Sequence, residues 1–200
     1  MHYEIWIATI IAYLFGSISS AVITCKLLGL PDPRTEGSCN PGATNVLRIG
    51  GKKAAIITLI GDFLKGLIPV LLAKWLGISD LGLTLVTFAA FFGHLYPVFF
   101  KFQGGKGVAT AFGCMTALSW PVGICLLVTW LDIAFMFRYS SLAALVTAIT
   151  APFFTYFFTN MTFTIMASMM SLLLIWRHRK NIKNLFAGKE NKIGKKSKVS

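Results

Sequence analysis

Charge is what this sequence has least of. Only 13% of its 200 residues are Asp, Glu, Lys or Arg, against about 25% in soluble domains, while 56% are hydrophobic and mean hydropathy is +0.71. So little charge leaves little with which to solvate a surface, and lipid is the expected solvent. The shortage is steepest for acids, with 7 Asp and Glu against 19 Lys and Arg and a formal charge of +12. A basic excess often serves nucleic acid, but here the charges lie between or after apolar runs and leave no soluble domain for such an interface. Membrane headgroups and phosphorylated molecules are the expected partners; nucleic acid is not.

Paired cysteines are missing as well. Cys25, Cys39, Cys114 and Cys125 form no CxxC, and three lie in or beside apolar segments, which argues against a zinc site and a disulfide framework. Carboxylates and histidines do not cluster at ligand spacing, so neither metal nor cofactor is expected. Met1 to Trp6 contains Glu4 but no Lys or Arg; without the basic start of a cleavable signal, the first helix is expected to be retained. None of His2, His94 and His178 has an Asp after four intervening residues, where Ile7, Phe99 and Lys183 stand. That removes the HxxxxD acyltransferase pattern. No GxSxG elbow and no evident Ser, Cys and His triad occur, so a covalent intermediate on the protein is not indicated.

Apolar runs are what the sequence has in abundance. A hydrocarbon core about 30 Å thick needs roughly 20 apolar helical residues. Tyr3 to Cys25, Ala54 to Leu76 and Leu81 to Phe100 each supply a span, separated by polar stretches that include Lys26 to Lys53. After a second insert at Lys101 to Gly107, residues 107 to 137 form a run of 31 without Lys or Arg, roughly 46 Å as one helix. It is too long for one crossing, so Ser119 to Pro121 is read as a break between helices at 107–118 and 121–137. Tyr139 to Trp176 is divided in the same way at Thr159 and Asn160.

The sequence therefore predicts an all-α polytopic transmembrane bundle of about seven spans. The positive-inside rule orients it with the N-terminus outside and the C-terminus cytoplasmic. Lys26, Arg34, Arg48, Lys52, Lys53, Lys101, Lys106, Arg138 and every basic residue from Arg177 onward then lie inside, and only Lys74 outside. Five spans would put Arg138 on the wrong side. Residues 1–188 read as one transmembrane domain and 189–200 as a basic cytoplasmic tail, disordered or bound to headgroups.

Three polar segments converge on the inner face in this topology. The first, Gly37-Ser38-Cys39-Asn40-Pro41-Gly42-Ala43-Thr44-Asn45-Val46-Leu47-Arg48, combines small residues that let backbone N–H groups approach an anion with hydroxyls, amides and a guanidinium fork. Its composition fits a solvated turn equally well. The second, Gln103-Gly104-Gly105-Lys106-Gly107-Val108-Ala109-Thr110, enters a helix whose N-terminus favours phosphate. It is not a Walker A loop, because Phe100 stands where that motif has its first Gly and Gly107 follows the lysine; a flexible linker with one lysine is the plainer reading. The third, Trp176-Arg177-His178-Arg179-Lys180-Asn181-Ile182, shows charges that any inner helix end would show. His178 and Asn181 are less generic and share a face if the helix continues.

Ionisable groups inside spans cost about 2.5 to 3.5 kcal/mol at a helix centre. Asp62 and Lys65 are spaced as an i, i+3 pair that neutralises itself, His94 reads as a packed, hydrogen-bonded core histidine, and Asp132 is expected to find a polar partner across the bundle.

Taken in order, GSCNPGATNVLR (37–48), GDFLKG (61–66), FGHLYPVFFKFQGGKGVATAFG (92–113) and WRHRKNIKNLFAGKE (176–190) resemble the bacterial inner-membrane family that acylates glycerol 3-phosphate from acyl phosphate. The resemblance covers nearly the whole chain. It implies acyl phosphate as donor, sn-glycerol 3-phosphate as acceptor, and 1-acylglycerol 3-phosphate and inorganic phosphate as products of the committed step of phospholipid synthesis. By motif matching, Ser38, Arg48, Lys106 and His178 fall on catalytic positions. Asn40, Gly42, Thr44, Asn45, Gly104, Gly105, Gly107 and Asn181 fall on substrate-binding ones, with Ser141 as an addition beyond the motifs. Cys39 departs from the family, which more often has Gly there. A transporter or flippase for an organophosphate would also want a basic pocket and Gly-rich breaks, but such carriers often pair inverted repeats and place their sites near the midplane. A plain membrane anchor leaves both Gly-rich loops without a purpose.

Overall fold

The computed structural model describes residues 2–194, so the expected tail lies outside the described residues from 195 onward. Helix is the only regular structure among the described residues: α1 (His2–Gly16), α2 (Ser20–Leu27), α3 (Ala43–Trp75), α4 (Asp80–Leu95), α5 (Val108–Leu118), α6 (Trp120–Phe137), α7 (Ser140–Phe158), α8 (Met161–Arg177) and α9 (Arg179–Phe186), with one 3-10 turn at Val98–Phe100. Four helical segments among them are long and apolar enough to cross a membrane, and five if α1 and α2, bent by 40°, count as one. The apolar helices α5 and α8 are shorter, about 16 and 26 Å at roughly 1.5 Å per residue.

The outer surface is apolar, with Ile56, Leu72, Trp75, Phe135, Phe157 and Leu172 all exposed, the reverse of a soluble domain. One core runs through the bundle and includes Val86, Phe91, Met115, Val122 and Met166. Helices α3 and α5 approach backbone to backbone through two glycines. A Cβ on Gly66 would sit 2.2 Å from the carbonyl oxygen of Thr110, and one on Gly113 2.1 Å from that of Phe63. Small residues at such crossings are how helices pack without a hydrophobic driving force from water.

Two elements differ from the sequence reading. The first span, expected as one helix over Tyr3 to Cys25, breaks at Ser17 to Ser19. A broken helix in lipid needs its freed carbonyls satisfied; Lys65 Nζ donates to Ile18 O at 2.8 Å while pairing with Asp62 Oδ1 at 2.8 Å. The expected buried pair is thus present and also holds the break. The polar stretch 26–53, expected to hold the first loop, is helical from Ala43, because Val46 packs into a buried cluster with Ala21, Cys25 and Ala54. Gly51, at φ 76°, then kinks α3 between its polar first turns and its membrane-length remainder.

Asp132 corrects a further expectation. It is exposed on α6 rather than partnered across the bundle, five residues before that helix ends at Phe137. A carboxylate that close to a helix end can reach the interface instead of a buried partner.

Candidate active site

The second polar segment is shaped by what lies beneath it. Gly105 N donates to His94 O at 3.2 Å, and a Cβ on Gly104 would lie 2.1 Å from that same carbonyl oxygen. His94 is buried, with Nδ1 3.1 Å from Thr110 Oγ1, the packed histidine the sequence suggested. From the other side Arg177 Nη2 donates to Gly104 O and Gly105 O at 3.1 and 2.8 Å, and its guanidinium lies 5.5 Å from the centre of the Tyr96 ring. Neither Gly104 nor Gly105 lines the cavity described below. Their lack of a side chain serves close packing, and the loop they form delivers Lys106.

Lys106 Nζ donates to Asn181 Oδ1 at 2.5 Å. Asn181 in turn donates through Nδ2 to Glu190 Oε1 at 2.7 Å, and Ser141 Oγ donates to the same oxygen at 2.7 Å. Burial is the largest cause that pushes the Lys106 ammonium down to about 8, with Arg48, Arg177 and Lys180 adding to it and Glu190 opposing. His178, at the junction of α8 and α9, is buried, and its Nδ1 lies 2.8 Å from Leu174 O. A carbonyl only accepts, so Nδ1 carries the proton and Nε2 of the neutral ring is left as acceptor. Burial first, then the charge of Lys106, lowers His178 to about 4.

The first segment faces these groups. Asn45 is 1% exposed and both its amide hydrogens are engaged: Nδ2 donates to Pro33 O and Glu36 O, both at 2.9 Å, and Oδ1 accepts from Ser38 N at 2.8 Å. Its side chain shapes the loop that carries Ser38 and also lines the cavity. Thr44 Oγ1 lies 2.9 Å from Ser140 Oγ, joining α3 to α7. Arg48 Nη2 reaches Asn191 O at 3.4 Å, while its buried Nε has no partner among the described residues.

These side chains surround the mouth of one cavity of about 470 Å³. Of the sequence-predicted positions, Ser38, Asn40, Gly42, Thr44, Asn45, Arg48, Lys106, Gly107, Ser141, His178 and Asn181 all line it. Beyond the mouth the walls turn apolar, with Phe63, Phe112, Met115, Leu126, Ala148 and Met170. A cationic, donor-rich entrance over an apolar interior suits a molecule with a phosphate at one end and hydrocarbon at the other. Among the described residues no three His, Cys, Asp or Glu side chains gather as a metal site.

Sequence reasoning passed over Glu190, Arg177 and Ser140. Glu190 had a signal: it is the sole acidic residue after Asp132, set in a strongly basic end. Arg177 had none, because its charge is what the end of any inner helix shows.

Known proteins resemble this chain over most of its length. The family model described as glycerol-3-phosphate acyltransferase matches residues 6–188. The glycerol-3-phosphate acyltransferase of Methylococcus capsulatus is 54% identical over 192 residues, 96% of this chain and 97% of its own. That of Burkholderia multivorans is 56% identical over 202 residues, 98% and 94% of the two chains. The crystal structure of PlsY (YgiH), an integral membrane glycerol 3-phosphate acyltransferase, in its glycerol 3-phosphate form superposes with a TM-score of 0.90 at 43% identity over 96% of both chains. Its lysophosphatidic acid form gives 0.87 and 42%, again over 96% of both chains.

Proposed function

This chain belongs to the glycerol-3-phosphate acyltransferase family, and from that premise we propose that it moves a fatty acyl group from acyl phosphate to the 1-hydroxyl of sn-glycerol 3-phosphate. The products are 1-acylglycerol 3-phosphate and inorganic phosphate. The observation that carries this reading is the joining of Lys106, Arg48, His178 and Asn181 at the mouth of an apolar cavity: phosphates at the entrance, acyl chain within.

An acyl phosphate is already activated, so the protein needs no nucleophile of its own. The acceptor's hydroxyl oxygen attacks the acyl carbonyl carbon, the carbon–oxygen bond to phosphate breaks, and the hydroxyl proton passes to a phosphate oxygen. Phosphate is the better base here, since its second pKa is about 6 and His178 is lowered to about 4. His178 therefore acts as a neutral hydrogen-bonding group. Lys106 and Arg48 hold phosphates, Ser38, Ser141 and Asn181 orient them, and Gly42, Thr44 and Gly107 form the wall against which they rest. Orientation of two bound reactants supplies about 7 to 11 kcal/mol, and each donor to the developing oxyanion about 2.7 to 4 kcal/mol.

In this reading the mouth opens on the cytoplasmic face of the bacterial inner membrane, with the N-terminus outside and the C-terminus inside. The bent pair α1 and α2 makes one crossing and α3 to α8 make six more. Charge supports it: Lys74, whose Nζ donates to Leu118 O at 2.9 Å, is the lone Lys or Arg at the opposite end among the described residues. The short α5 packs against α3, α4 and α6, so its ends meet protein.

Release of inorganic phosphate by the purified protein, given palmitoyl phosphate with and without glycerol 3-phosphate, tests the proposal. Release that requires the acceptor supports it; release at the same rate without acceptor contradicts it.

A further inference from the structure

The cavity continues inward along α3 and α5 to α8, and on the last four its deepest lining residues are Met115 on α5, Leu126 on α6, Ala151 on α7 and Ala167 on α8. Ala151 lies ten residues from Ser141, and Ala167 eleven from His178, which at roughly 1.5 Å per residue puts both about 15 to 16 Å below the mouth. Two helices running in opposite directions thus reach the same depth. Below it Leu118, Val122, Phe163 and Met166 are buried in the same core and do not line the cavity. The bottom is closed. One side is not: Leu59 and Ile60 of α3 and Leu127 and Leu131 of α6 line the cavity while 42 to 52% exposed.

From these dimensions we infer that the donor's acyl chain runs along Ala144, Ala148 and Ala151 of α7, and that these positions determine how the enzyme senses chain length. The inference rests on the acyl-transfer reading above. All three line the cavity and are at most 9% exposed, so a larger side chain at any of them enters the space the acyl chain needs. A C–C bond of about 1.5 Å at a tetrahedral angle advances an extended chain by about 1.25 Å per carbon. On that scale Ala148 lies about eight carbons below Ser141 and Ala151 about twelve. The remaining carbons of a longer donor turn out between α3 and α6 into the bilayer. The donor arrives already dissolved in hydrocarbon, so an added methylene gains little from leaving water, and discrimination comes from the walls it meets.

The test uses the full chain in lipid nanodiscs and acyl phosphates from octanoyl to stearoyl, with glycerol 3-phosphate as acceptor. Ala151→Leu is expected to lower kcat/KM about tenfold only for donors longer than about twelve carbons. Ala148→Leu is expected to do so beyond about eight, both sparing octanoyl phosphate, whose turnover also reports that each variant is folded. An equal loss at every length, or no change at any, overturns the inference. Failure of the unsubstituted protein to turn over any acyl phosphate would instead remove the acyl-transfer reading beneath it.

Discussion

Lys106 Nζ and Asn181 Oδ1 lie 2.5 Å apart, joining two segments separated by 75 residues. The hydrogen bond ties the Gly-rich loop to the start of α9, and through Asn181 the ammonium is linked to Glu190 and on to Ser141. A change at any of these four residues is therefore felt by the others.

Lys106 carries the sharpest dependence on pH. Its ammonium is lowered to about 8, while the acceptor's phosphate, with a second pKa of about 6, is almost fully ionised above about pH 7. Below pH 8 both charges are present, and above it the lysine is lost. KM for glycerol 3-phosphate is expected to be flat between pH 7 and 8 and to rise about tenfold per unit above that. Lys106→Met should lose turnover while its detergent-extracted form elutes as the folded protein does. A KM unchanged to pH 10, or retained turnover in Lys106→Met, takes Lys106 out of the site.

His178 makes the opposite prediction. A ring lowered to about 4 stays neutral from pH 5 to 8, so an acid limb of kcat near pH 6 belongs to the phosphate that takes the proton, whose second pKa is about 6. His178→Gln should reduce kcat yet keep the shape of the profile. An acid limb near pH 6.5 that disappears in His178→Gln contradicts the assignment of the proton to phosphate.

Glu190 holds Asn181 and Ser141 through one oxygen. Glu190→Ala leaves both donors without their acceptor, a cost of about 1 to 3 kcal/mol for groups this protected. It should lower the thermal midpoint in detergent and abolish transfer, whereas Glu190→Gln, which keeps an acceptor oxygen, should recover part of each. If alanine leaves midpoint and activity unchanged, the contacts are incidental.

Cys39 is exposed at φ 55°, in the left-handed region where a non-glycine residue costs roughly 1 to 2 kcal/mol. That strain gives a physical reason for glycine to be favoured at this position. Cys39→Gly should raise the thermal midpoint and leave kcat within about twofold, a gain of about 1 kcal/mol less the added freedom of the unfolded chain. A lower midpoint would show that the thiol makes up for its backbone.

Orientation has its own test. A single cysteine placed by Arg138→Cys in a chain otherwise without cysteine should react with an impermeant maleimide only in inside-out vesicles. Labelling from the periplasmic side of intact spheroplasts would reverse the topology.

Much of this was legible in the sequence where a local rule decides. Ser119 does separate α5 from α6, and Asn160 does begin α8, its Oδ1 accepting from Phe163 N, because chain breaks and caps depend on a few adjacent residues. The Asp62 and Lys65 pair followed from i, i+3 spacing for the same reason. What was not legible depended on tertiary partners. The break at Ser17 to Ser19 is tolerated because Lys65 reaches it from another helix. Gly104 and Gly105 looked like phosphate-cradling residues, yet their role is set by the His94 backbone beneath them. The hold that Asn45 has on the loop around it rests on the carbonyls of Pro33 and Glu36, which no spacing rule points to. Composition could not show that Ala43 to Ile49 is helical, since only the burial of Val46 decides it.

Phosphates bind at the cavity mouth and an acyl chain within, with acyl phosphate as donor, in the function proposed for this chain. The most direct measurement is mass-spectrometric detection of 1-acylglycerol 3-phosphate formed by the purified protein in nanodiscs from glycerol 3-phosphate and palmitoyl phosphate, beside equal concentrations of palmitoyl-coenzyme A and palmitoyl-acyl carrier protein. Product is expected from palmitoyl phosphate alone, in step with phosphate release. Product from either thioester and none from the acyl phosphate would contradict the proposed function.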